Sequence, residues 1–304
     1  MKFFKDVKNN LPLLALATPC IAWLIAFCYI PMFGIVIAFK DFRFNKGIFG
    51  SSWVGFKNFE FLFTTDDAWI MTRNTVLYNL AFIAIGLIFS ISFAILYDAL
   101  GSSKLNRINQ TVAIFPHFLS WVVITFFGYA ILSSDKGIAN QIITKFGGEP
   151  INWYSEPKYW PFILPIVSIW KGVGYSSIIY YSNIRGFDSE LYEAARIDGA
   201  TWLQSVFHIT LPLLKPIVTI MFIMSVGGIM HSDFGMFQLF PKNSGALYSV
   251  TQTIDTYVYN GMMGGSGNMG VTGAVGFYQA IVGFLMVIGA NAVVKKIEPD
   301  NALF

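Results

Sequence analysis

Charge is what this sequence is shortest of. Of its 304 residues only 12% are charged, while 55% are hydrophobic; a soluble domain carries about 25% charged residues. So few charges cannot cover a water-facing surface, and the chain is expected to face lipid. A net charge of +3, with no like-charge block and no basic–aromatic stripe, excludes nucleic acid as a partner. Cysteine is equally scarce. Cys20 and Cys28 are the two present, and on one helix they would lie about 12 Å apart along the axis, beyond disulfide reach. No CxxC or Cys/His spacing suits a metal, so no metal and no cofactor is expected on this chain. A GxxxxGK[ST] phosphate loop is missing. The histidines His117, His208 and His231 are scattered, with no nucleophile–base pair or HExxH set around them.

What is present is a series of long apolar runs. A spanning helix needs about 20 mostly apolar residues, and six segments qualify: Leu11–Phe39, Thr75–Tyr97, Thr111–Leu132, Tyr159–Tyr181, Leu213–Phe234 and Val271–Val294. None alternates with the period of a strand, which favours helices over a barrel. The first run is too long for a signal-peptide core and reads as a membrane anchor. No internal repeat or low-complexity linker divides the chain. The fold class is therefore an all-α integral membrane protein with six transmembrane helices in one domain, residues 1–304.

Six spans put both termini on one side. Lys2, Lys5, Lys8, Lys104, Arg107, Arg185, Arg196, Lys215, Lys295 and Lys296 share it; Lys40, Arg43, Lys46, Lys57, Arg73, Lys136, Lys145, Lys158 and Lys242 lie opposite. The counts are nearly equal. The first set sits on shorter segments close to the spans, which favours cytoplasmic termini.

One connection breaks the apolar pattern, "YEAARIDGATWLQSVFHITLPLLKP" at residues 192–216. Asp188 or Ser189 can cap a helix that carries Glu190 and Glu193 near its positive end. Ala194 and Ala195 are good helix formers with little bulk. Gly199, after Asp198, can take the left-handed geometry that ends a helix. Thr201 can cap a second short helix, and Pro212 is expected to begin the fifth span. From the residues alone, an interfacial hairpin on lipid headgroups and a docking surface for a partner protein both fit.

The same residues carry a resemblance. Glu193, Ala194 and Ala195, then three residues, Gly199, nine residues, and Ile209-x-Leu211-Pro212 are similar to the EAA loop of membrane subunits in binding-protein-dependent ABC importers. "YIPMFGIVIAFKDF", "WVGFKNF", "FPHFLSWVV" and the terminal "DNALF" look like permeases for complex oligosaccharides, of the maltose-importer type. The resemblance implies a permease in the cytoplasmic (inner) membrane of a prokaryote. Its partners would be a second similar permease, two cytoplasmic ATPase subunits that bind ATP and Mg, and an extracytoplasmic solute-binding protein that delivers oligosaccharide. It also implies that residues 183–212 form a cytoplasmic coupling helix for the ATPases. There Glu193 would make polar contact, Ala194 and Ala195 would pack closely, and Gly199 would make the turn, with Asp198, Ile209, Leu211 and Pro212 completing the motif.

Candidates for the sugar pathway come from polar and aromatic groups placed within or at the edge of spans. A charge at mid-membrane costs about 2.5–3.5 kcal/mol on insertion scales, so it faces a cavity or a partner. Lys171 can line a pathway that favours acidic sugars, pair with an acid, or sit beside a kink allowed by Gly172 and Gly174. Trp170, Tyr175, His117, Asp233, Tyr278 and Gln279 combine suitable position with polar atoms; each also reads as packing, belt or end-cap. A secondary sugar carrier would bring paired intramembrane carboxylates or an inverted repeat, and a membrane-embedded enzyme a clustered catalytic set; neither pattern is present.

Overall fold

The computed structural model describes residues 10–101, 103–264 and 268–297. Lys2, Lys5, Lys8 and the terminal Asp-Asn-Ala-Leu-Phe motif lie outside them. The principal helices are α1 (Leu11–Phe39), α2 (Asp66–Ala99), α3 (Lys104–Phe118), α4 (Trp121–Leu132), α5 (Ile138–Lys145), α6 (Trp160–Ile184), α7 (Ser189–Ile197), α8 (Trp202–Gly227), α9 (Ile254–Met263) and α10 (Met269–Ile297). Strands β1 (Lys40–Asp41) and β2 (Ser52–Trp53) pair antiparallel. Among the described residues five helices are long and apolar enough to cross a membrane, and a sixth span results if the bent pair α3–α4 counts as one.

The chain divides into two compact units. In the unit of residues 1–65 and 258–278, Phe39 stacks on Trp53 at 5.7 Å and meets Phe56, Phe59 and Phe277 edge-on or tilted. Asn58 donates to the Ala38 and Lys40 carbonyls at 2.9 and 3.0 Å, which fixes the chain where α1 ends. In the unit of residues 66–257 and 279–304, α6 packs along α2 and α3. One core gathers Tyr78, Ile124, Trp160, Leu164, Phe237 and Phe240; a second joins Ala94, Tyr180, Ile184 and Leu214.

Prolines shape these helices in a repeated way. Each of three π-helical turns, Ile25–Tyr29, Val206–Thr210 and Gly235–Leu239, ends two residues before a proline: Pro31, Pro212 and Pro241. A proline ring collides with the carbonyl four residues earlier and offers no N–H; the wider turn makes room for it. This corrects one expectation. Pro212 does not begin the fifth span, because the helix starts at Trp202 and runs through the π-turn to Gly227. That span also stops short of Phe234, at Gly227.

The third span, read as Thr111–Leu132, carries a sharp break: α3 and α4 meet at a bend of 100°. Pro116 tightens Phe115–Phe118 into a 3-10 turn, Leu119 is extended, and the Ser120 hydroxyl accepts from the Val123 N–H to start a new helix. Against this bend α6 comes very close, and a Cβ on Gly174 would overlap the Ala113 carbonyl. Gly174→Val is therefore expected to destabilise the protein by about 1–3 kcal/mol through overpacking, read as a lower thermal midpoint of the purified protein. An unchanged midpoint would mean that this helix contact contributes little.

Candidate functional site

Two sets of residues stand out, one in the loop between α6 and α8 and one around the helix breaks. In the loop, Asp188 caps α7 by accepting from the Glu190 N–H at 3.0 Å. At the other end the Ala200 N–H donates to Ala195 O at 2.9 Å and the Gly199 N–H to Arg196 O at 3.1 Å. That pair of bonds is the Schellman closure, and it holds Gly199 at φ +81°, a backbone that side-chain-bearing residues rarely adopt. Thr201 and Gln204 then form a reciprocal capping box. Tyr192 Oη and Thr210 Oγ1, 3.1 Å apart, tie α7 to α8.

Glu193, Ala194, Asp198 and Pro212 are exposed; Ala195, Ile209 and Leu211 are half-buried. Ile197 is 86% exposed, and Leu203 and Phe207 also face outward. Behind α7 lies a cavity of about 530 Å³ whose lining includes Asp98, Arg185, Tyr192, Glu193, Arg196 and Trp202.

At the α3–α4 break Lys171 Nζ donates to the His117 and Leu119 carbonyls at 2.9 and 2.7 Å and lies 5.4 Å from the centroid of the Trp121 ring. The kink expected at Gly172 and Gly174 does not interrupt α6, which is helical over Trp160–Ile184; Lys171 instead reaches the break between α3 and α4. Trp121 Nε1 donates to Asp233 Oδ2 at 2.7 Å, and the His117 ring stacks on Tyr175 at 4.4 Å. Lys171, His117, Tyr175 and Asp233 thus form one chain, with Trp121 as the link. Trp170 is elsewhere, on an apolar groove of about 690 Å³ lined also by Phe127, Ile163 and Phe240.

A second cluster surrounds the unwound residues after α8. Asn79 Nδ2 donates to the Ile229 and His231 carbonyls, both at 2.9 Å. Gln279 Nε2 donates to Met230 O at 2.6 Å and Asp255 Oδ1 at 3.0 Å, and lies 3.1 Å from His231 Nδ1. Asp255 Oδ2 accepts from Ser232 N and Oγ at 2.6 and 2.9 Å. Tyr278 precedes Gln279 on α10 and is half-buried. Outside the spans, burial and then the neighbouring Tyr129 push the Tyr154 phenol up to about 12.

Sequence reasoning missed Asn79, Trp121 and Asp255. Asn79 left a signal, an amide in an apolar run, since such amides in membrane helices bond to neighbouring helices. Asp255 left none, because its side chain, only 23% exposed, comes from a connecting segment rather than a span.

Residues 86–299 match the family model of the binding-protein-dependent transport system inner membrane component. The chain belongs to that family. It is 35% identical over 282 residues to the polygalacturonan/rhamnogalacturonan transport system permease protein YteP of Bacillus subtilis (strain 168), covering 93% of this chain and 87% of the relative. It is 30% identical to Protein LplB of the same organism, over 97% and 92% of the two chains. Among solved structures it is similar to a chain of a bacterial ABC transporter involved in the import of the acidic polysaccharide alginate. There the TM-score is 0.89 with 28% identity, covering 98% of this chain and 100% of that one. This permease is thus a multi-pass inner-membrane protein of a binding-protein-dependent transport system, and ATP hydrolysis belongs to a separate subunit.

Lys171→Met should leave two carbonyls at the α3–α4 break without their donor. An unsatisfied buried polar group costs about 1–3 kcal/mol, so the thermal midpoint of the purified permease is expected to fall. A variant as stable as the parent would show that the ammonium is not needed to hold the break.

Proposed function

We propose that this chain works as a single membrane domain that conducts oligosaccharides rich in uronic acid into the cell, as one half of a two-permease core. Two cytoplasmic ATPase subunits, holding ATP and Mg, bind the α7 loops of the pair. A solute-binding protein delivers the sugar from the other side, and both termini are cytoplasmic. The observation that carries the coupling role is the loop itself. A short helix closed at both ends by caps presents an exposed face, with Glu193, Ala194 and Ile197 on it, and continues after one glycine turn into α8. Such a body moves as a unit when a partner grips it. Nucleotide-driven closure of the ATPases would tilt α8 and switch access between the two sides, a rigid-body change biased by ligand.

The cargo class is supported by the relatives. One is named for polygalacturonan and rhamnogalacturonan, and a similar structure is described as an importer of the acidic polysaccharide alginate. Both names point to polymers that carry a carboxylate on a pyranose ring. Lys171 fits that chemistry in part, since its ammonium carries three N–H donors and two are used by carbonyls. Lys171, His117, Tyr175, Asp233 and Gln279 are the pathway residues this reading favours; Trp170 and Tyr278 have weaker geometric support.

Glu193→Ala with Gly199→Val tests the coupling role. The valine forces a β-branched residue into left-handed backbone, which costs roughly 1–2 kcal/mol and deforms the loop. In proteoliposomes carrying the whole complex, uptake and sugar-stimulated ATP hydrolysis should fall together while the permease still inserts and purifies. Uptake persisting at the parent's rate would refute the coupling role of the loop.

A further inference from the structure

The turn after the Gly235–Leu239 π-helix holds the two side-chain-bearing residues with positive φ among those described, Lys242 at 56° and Asn243 at 49°. Left-handed backbone is uncommon for any residue but glycine, and two in succession persist only where the surroundings fix them. Here they do. The Lys242 and Asn243 N–H groups donate to Leu239 O and Gln238 O at 2.9 and 3.1 Å. Ser244 Oγ donates to Tyr154 O at 2.9 Å, and Tyr248 Oη donates to Asn243 Oδ1 at 3.0 Å.

This pinning leaves two kinds of donor on consecutive residues of a fixed turn. Both residues are exposed. Lys242 Nζ lies 3.9 Å from the Tyr129 ring centroid and 5.8 Å from that of Tyr154. Among the described residues it has no ion-pair partner. The ring faces hold an ammonium in place without neutralising it. Because the Asn243 carbonyl oxygen is occupied by Tyr248, its NH₂ remains free to donate. A cation without an ion-pair partner and an amide on consecutive exposed residues of one pinned turn suit a carboxylate, which accepts through both oxygens.

We propose that Lys242 and Asn243 form a carboxylate subsite on the extracytoplasmic face that receives one uronate of the incoming sugar. The proposal rests on the uronate-import reading above. It places the first recognition of charge at the surface, ahead of the helix breaks. A neutral oligosaccharide would gain nothing there.

The test uses the whole complex in proteoliposomes with its binding protein, and labelled tetragalacturonate as the probe. Lys242→Gln removes the cation. Asn243→Gly removes the amide and suits the positive φ, and a thermal midpoint within a few degrees of the parent's shows that the turn survives losing the bond from Tyr248. Each variant is expected to lose about fivefold or more in uptake at saturating binding protein, the scale of a charge-assisted bond, while sugar-free binding protein docks as before. Uptake equal to the parent's in both variants overturns the subsite and leaves the cargo reading intact. A loss matched by weaker docking of sugar-free binding protein overturns it in favour of a protein–protein contact. A parent complex that takes up neutral tetragalactose and not tetragalacturonate overturns the cargo reading and the subsite together.

Discussion

A helix interrupted within a membrane frees carbonyls that lipid cannot satisfy, and much of this structure answers that constraint. At the α3–α4 break the answer is Lys171, whose ammonium bonds to the His117 and Leu119 carbonyls. After α8 the answer is shared: Asn79 holds the carbonyls of residues 229 and 231, Gln279 that of residue 230, and Asp255 the N–H of Ser232. Side chains from α2, α9 and α10 thereby fix an unwound segment that would otherwise be costly. The breaks meet where Trp121 donates to Asp233. Irregular backbone survives in a membrane only where it is buried in protein or lines a water-filled cavity, and the proposed sugar pathway takes its polar groups from here.

The loop that carries α7 is connected to those breaks by one element. α8 begins at the Thr201 cap and runs 26 residues to Gly227, roughly 39 Å of continuous helix. The unwound residues that hold His231 and Asp233 follow it directly. Because the π-turn absorbs Pro212 without ending the helix, α8 can act as a lever. In the proposed mechanism a displacement of α7 at one end would reach the Asp233–Trp121 contact at the other. In the proposed mechanism this continuity matters more than any single contact of Glu193.

Features set by a few adjacent residues were legible in the sequence. The Asp188 cap, the left-handed Gly199 and the Thr201 cap all follow from side chains within three or four positions of one another. The apolar runs also located the spans, because length and hydropathy are local sums. What the sequence hid depends on encounters between distant segments. Pro116 and Ser120 sit in a largely apolar run, and nothing nearby indicates that Lys171, over fifty residues later, supplies the donor that lets the helix break. Pro212 resembled a helix start because the local rule for proline is a start, whereas a π-turn lets the helix pass through it. Trp170 and Lys171 are neighbours in sequence, yet one lies on an apolar groove and the other at the break, since adjacent helical residues point about 100° apart.

The most direct measurement of the central claim is concentrative uptake. Proteoliposomes containing this permease, its partner permease and the ATPases would be given labelled oligogalacturonate and binding protein outside and ATP inside. The account predicts accumulation above the external concentration that requires both the binding protein and hydrolysable ATP. Sugar that equilibrates across the membrane without ATP, or follows an imposed proton gradient, would contradict it and identify a secondary carrier.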